Sequence, residues 1–131
     1  MTDFQFKKNE RLKSRKRIAA LFSRGQSFAQ YPLRVIFMPV DMAPGDAPLQ
    51  FGMSVAKKKF PKAVHRNRMR RLVREAWRLN KHRLQGIALE AGKGLAVMVL
   101  YTAAEELPFA DIEAAMKTMI LRLRKKVSLR T

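Results

Sequence analysis

The spacing of apolar and polar residues changes several times along this chain, and each change marks an element. Ser14 can cap a helix that puts Ile18, Leu21 and Phe22 on one face, and Gly25 is placed to stop it in a left-handed C′ conformation. After Pro32 the run LRVIFMPV alternates Leu33, Val35 and Phe37 with Arg34, Ile36 and Met38. This predicts a strand whose second face is partly apolar, with Pro39 ending it or sitting at an edge. DMAPGDAP, residues 41–48, has turn-forming spacing and is the clearest loop. A second strand from Gln50 puts Phe51, Met53 and Val55 on one side. Gly52, Ser54 and Ala56 form a small side that can admit a close ligand or backbone.

Pro61 breaks the chain before a helix predicted over roughly 63–80. At about 100° per residue, Met69, Leu72, Val73, Ala76 and Leu79 share one face. Arg66, Asn67, Arg70, Arg71, Arg74 and Arg78 occupy the opposite one. Trp77 falls at the border and is expected to pack at the core edge. Residues 82–93 read as a short helix and a turn, and GLAVMVLYTA as a strand buried on both faces. Pro108 opens a last helix to about Val127, with Ile112, Met116, Met119, Ile120 and Leu123 at helical spacing and a basic end. No repeat or linker interrupts this order, so the expectation is one α+β domain over 1–131, flexible over 1–10, with at least three strands and three helices. For Phe22, a core anchor and a surface for stacking bases both remain open.

Charge narrows the class of partner. The chain has 131 residues and is 47% hydrophobic, enough for one packed core, yet it carries a formal charge of +18 and a pI near 11.3. Such a balance favours a nucleic acid over an acidic protein or a membrane, because Lys and Arg release counterions from close-spaced phosphates. Twelve of the 28 Lys and Arg residues lie between 57 and 83, against the single acid Glu75. With no cysteine there are no disulfides, thiolate zinc sites or Cys nucleophiles, and a cytoplasmic location is expected. The longest apolar run, 95–101, is far short of the roughly 18 residues a membrane span needs. His65 and His82 have no third ligand nearby and the acids are scattered, so neither a metal site nor a catalytic residue is expected on the protein.

The order of the basic residues is more specific than their number. GMSVAKKKFPKAV runs into HRNRMRRLVREAWR: Ser-Val-x-Lys-Lys at a strand end, a short turn, then Ala-Val-x-Arg-Asn-Arg opening a basic helix. This resembles the signature of the bacterial ribonuclease P protein component. The likeness extends to RLK at 11–13, the first helix with Phe22 and Gly25, the Pro/Gly loop, and the apolar strand before the last helix.

The resemblance implies a small α/β sandwich with a mixed central sheet of about four strands, three main helices and a left-handed β-α-β crossover. Its fourth strand would lie near Gln26–Gln30, which periodicity alone reads as loop. It also implies an accessory subunit whose partners are ribonuclease P RNA and the 5′ leader of precursor tRNA. The RNA and Mg²⁺ would then perform the endonucleolytic chemistry. By that resemblance Lys57, Lys58, Arg66, Asn67, Arg68, Arg70, Arg71 and Arg74 bind the catalytic RNA, with arginines gripping phosphates rather than reading bases. Ile18, Phe22, Arg34 and Ile36 fall at the leader site. Ile18 and Ile36 stand where the family often has an aromatic, so leader contacts are expected to rest more on shape and on Arg34 than on stacking. A ribosomal RNA-binding protein would share the charge and size. A DNA-reading helix is disfavoured, because the arginines cover a broad face.

Overall fold

The computed structural model describes residues 8–84 and 92–128. Ser14 caps helix α1 (Arg15–Arg24), its side chain accepting from the Arg17 amide at 3.3 Å. Gly25 ends that helix in an extended conformation, φ −71° and ψ 156°, not the left-handed one expected. Glycine is needed there for closeness instead. A β-carbon would lie 2.5 Å from the Leu21 carbonyl oxygen and 2.9 Å from an Ile36 methyl, so any side chain would push α1 off the sheet.

Strands β1 (Gln26–Gln30), β2 (Leu33–Asp41), β3 (Leu49–Val55) and β4 (Lys93–Tyr101) form one mixed sheet in the order β1-β2-β4-β3. The stretch that periodicity reads as loop is β1. It has a single buried residue, Phe28, and is held by its antiparallel register to β2 from Gln26↔Phe37 to Gln30↔Leu33. Its pattern is weak because partners on one side, and not its own alternation, stabilise it. That register stops at Phe37, so Pro39 faces no strand on the β1 side and costs the ladder nothing there; β2 continues to Asp41 paired only with β4. β4 lies between β2 (antiparallel) and β3 (parallel), which accounts for its nearly unbroken apolar run.

Helix α2 (Ala63–Asn80) joins the parallel strands β3 and β4, and α3 (Phe109–Ser128) follows β4. A 3-10 turn, Lys81–Leu84, opens the segment expected as a short helix, and residues 85–91 lie outside the described residues. So does most of the 1–10 segment, whose described part, Lys8–Glu10, is another 3-10 turn.

The larger core cluster packs Met69, Val73 and Trp77 of α2 and Met116, Met119 and Ile120 of α3 against one face of the sheet. Trp77 is 1% exposed and stacks on Phe51 with centroids 4.5 Å apart and planes 12° from parallel. It is therefore fully inside rather than at the edge, and its truncation to Ala would cost about 3–5 kcal/mol. A smaller cluster fills the other face under α1, formed by Leu12, Leu21, Ile36, Val40, Ala96 and Met98. Charged tethers close the margins. Buried Lys81 pairs with Glu10 at 2.6 Å. Arg17 donates to Gln50 Oε1 at 2.8 Å, to Asp46 at 3.0 Å and to the Asp41 carbonyl.

Candidate nucleic-acid interface

β3 ends at Val55 and the chain turns over Lys57–Lys59, the amides of Lys59 and Phe60 donating to the Ala56 carbonyl at 3.2 and 3.1 Å. Phe60 anchors the turn in the core, edge-on to Tyr101 with centroids 5.9 Å apart. Lys59 Nζ donates to the Thr102 carbonyl. Lys57 and Lys58 have no such anchor role and lie exposed at the strand end.

Arg66 reaches back from the first turn of α2. Its Nη1 donates to the carbonyls of Phe60 and Pro61, both at 2.8 Å, so one guanidinium nitrogen ties the turn to the helix it precedes. His65 Nδ1 and Arg68 Nη1 both approach Glu106 Oε1, at 3.3 and 3.7 Å. Asn67 is exposed between them. No acid occupies this first turn and Lys62 supplies no side-chain cap, so the helix begins with its positive dipole end uncompensated by its own residues.

Beyond that turn α2 divides cleanly by face. Met69, Val73, Ala76 and Trp77 are buried; Arg70, Arg71 and Arg74 are exposed, and among the described residues none of the three has a hydrogen bond or ion pair within the protein. Arg78 differs, gripping Glu75 with Nε at 3.0 Å and with Nη2. That hydrogen bond holds the Glu75 carboxyl below the usual carboxylate range, outweighing burial, which acts the other way. The one acid of this helix is thus matched to one arginine, leaving the others to face solvent as a cationic surface.

On the other face of the sheet the expected leader residues separate. Leu21 is the α1 core anchor, 0% exposed, whereas Phe22 beside it is 56% exposed, so its ring is not the core anchor of the helix. Ile18 is half-buried against the smaller cluster. Ile36 is only 8% exposed, in that cluster and packed beneath Gly25, so it supports α1 from below and can add only to the shape of this surface. Arg34 is exposed and donates to Ser27 Oγ at 3.1 Å, across the β1–β2 pair. The surface there offers an aromatic ring and a guanidinium over a floor of small and aliphatic groups.

Two groupings escaped the sequence reading. Glu106, far along the chain, meets the Arg-Asn-Arg segment, and no local periodicity joins them. Arg11 and Lys13 line a cleft together with Arg70 and Arg74; the signal for them was the short RLK segment, whose place beside α2 depends on tertiary packing.

Among the described residues no three His, Asp or Glu side chains come together to hold a metal ion. Described acids instead sit against cations, as Asp41 does against Lys93, Asp46 against Arg17 and Glu10 against Lys81. The donor set of the described residues therefore does not fit a protein-held Mg²⁺ site. No described helix is long and apolar enough to cross a membrane.

Comparison with known proteins matches residues 6–124 to the family model described as Ribonuclease P. A ribonuclease P protein component from Porphyromonas gingivalis is 40% identical over 125 residues, covering 95% of this chain and 90% of that protein. Among solved structures, the RNase P protein of Thermotoga maritima superposes with a TM-score of 0.63 at 27% identity, over 86% of this chain and 96% of that one. The Staphylococcus aureus RNase P protein gives a TM-score of 0.64 at 22% identity over 90% and 96%, a likeness of fold.

Proposed function

The chain belongs to the bacterial ribonuclease P protein family, and from that membership we propose that it binds the catalytic RNA through α2 and the precursor tRNA leader through the α1 face of the sheet. The observation that carries this reading is the set of exposed arginines on α2. Arg70, Arg71 and Arg74 are held rigidly by a buried helix face and lack internal acid partners, so they are available to phosphates. Lys57 and Lys58 extend that surface from the strand end, and Asn67 and Arg68 from the first helical turn. Arg66 contributes by closing the turn that presents the two lysines.

Phosphate contacts of this kind position an RNA without reading its sequence. The leader would lie across the α1 face, with Phe22 available for stacking, Arg34 for a phosphate, and Ile18 and Ile36 shaping the floor. In this division of labour the protein holds substrate and RNA together, while Mg²⁺ bound by the RNA supplies the charge for phosphodiester hydrolysis. The protein itself brings neither nucleophile nor metal.

Reconstitution with a bacterial ribonuclease P RNA at low Mg²⁺ tests this directly. The protein should lower the Mg²⁺ needed for removal of the leader, bind the precursor more tightly than mature tRNA in the assembled particle, and cleave nothing alone. Robust cleavage by the protein without RNA would reject the division of labour; equal affinity for precursor and mature tRNA would favour a general RNA-binding role.

A further inference from the structure

The segment before α1 is tied down from three sides. Glu10 pairs with Lys81. The Leu12 amide donates to the Phe51 carbonyl at 2.9 Å as Arg11 bridges Phe51 in parallel, and the Leu12 side chain is buried in the smaller core cluster. Gly52 permits this approach: a β-carbon there would lie 3.4 Å from Leu12 Cβ and 2.9 Å from Met98 Cε. The residues flanking Leu12 are thereby fixed at the open edge of β3, facing α2.

Between that edge and the helix lies a cleft of about 290 Å³. Arg11 and Lys13 line it from one side and Arg70 and Arg74 from the other, with Leu12 and Met53 between them; among the described residues no acid lines it. A cleft with four cations from two separately anchored elements and an apolar surface between them suits a single phosphodiester and its sugar. Its volume is near the bottom of the roughly 300–1,000 Å³ range of ligand sites, too small for a duplex. We propose that Arg11 and Lys13, with Arg70 and Arg74, form a phosphate-binding cleft that captures one backbone turn of the catalytic RNA. This deepens, and rests on, the reading of α2 as the catalytic-RNA surface. The interface then continues from the helix across the β3 edge to the residue that precedes the α1 cap.

Lys13→Ala, Arg74→Ala and the double variant provide the test, with Lys125→Ala on the exposed end of α3 as a control for loss of charge alone. Binding of full-length protein to ribonuclease P RNA is measured across a salt series, and wild-type stimulation at low Mg²⁺ is measured in parallel. Lys13→Ala should reduce the log–log salt slope by roughly 0.7–0.9, the value for one phosphate contact, while Lys125→Ala leaves it unchanged. The effect of Arg74→Ala should shrink when Lys13 is already Ala, since both grip one phosphate. A wild-type slope in Lys13→Ala, a loss no larger than that of Lys125→Ala, or strict additivity with Arg74→Ala would overturn the cleft while wild-type stimulation leaves the function standing. A Lys13→Ala defect seen only with leader-bearing precursor, and absent in binding of the catalytic RNA alone, would overturn the assigned occupant. Failure of the wild-type protein to bind or stimulate the RNA would instead reject the reading on which the cleft rests.

Discussion

Arg66 and Arg74 stand on the same helix and look alike in sequence, yet Arg66 Nη1 donates to the Phe60 and Pro61 carbonyls, whereas Arg74 makes no hydrogen bond or ion pair among the described residues. Arg68 belongs with Arg66 in being partnered, through Glu106, and Arg70 and Arg71 belong with Arg74. The contrast separates two uses of one residue type. At the start of α2 Arg66 builds the platform, because the turn before the helix leaves the Phe60 and Pro61 carbonyls in need of a donor. Further along, the buried face alone fixes the helix, and opposite it Arg70, Arg71 and Arg74 have no acid partner among the described residues. Charge counting treats all of them as one basic surface; hydrogen-bond accounting divides them.

The largest effect that can break this division is Arg66→Ala. Losing a charged donor shared by two carbonyls should destabilise the fold by about 1.5–3 kcal/mol, measured by urea denaturation, and should weaken RNA binding as the Lys57–Pro61 turn loosens. If stability is unchanged while RNA affinity collapses, Arg66 is a docking arginine like the rest and the division fails.

The paired substitution Arg70→Ala with Arg74→Ala should do the opposite. Stability should stay within about 0.5 kcal/mol of the parent, as for surface changes away from internal partners. The salt dependence of RNA binding should flatten by roughly 0.7–0.9 of a log–log unit per lost contact. A denaturation midpoint displaced as far as that of Arg66→Ala would show that these side chains support the fold after all.

How much of this division could be read beforehand follows from where its causes lie. The extent of α2, its buried Met69 and Val73, and the exposure of Arg70, Arg71 and Arg74 come from one helical period, which is local and visible in the sequence. The partners of Arg66 were invisible, since a guanidinium reaching back to a turn depends on the path of the backbone. Glu106 was equally hidden, being brought in from beyond β4. The same limit applies elsewhere. β4 was legible because burial on both faces leaves a continuous apolar run, while β1, held by pairing with β2, left almost no pattern. Phe22 and Leu21 are neighbours on a one-faced helix, and the sequence could not say which of them the sheet would cover.

Glu75 offers the finest test, because it makes Arg78 a partnered arginine on the otherwise unpartnered stretch of α2. Its carboxyl is held below the usual range by the hydrogen bond from Arg78. The unfolded chain therefore takes up a proton at higher pH than the folded one. The stabilisation is present above the unfolded carboxylate pKa and is lost as pH falls through the lower folded value. Glu75→Gln should remove that contribution and leave a slightly flatter acid limb in a denaturation series, a small change because the pair is partly exposed to screening solvent. In the same variant Arg78 loses its acid neighbour, and if that acid is what limits its contact with RNA the salt slope should steepen by less than one full contact, roughly 0.7–0.9 of a unit. A slope that stays put would show that position along the helix, and not freedom from an acid, decides which arginines meet RNA.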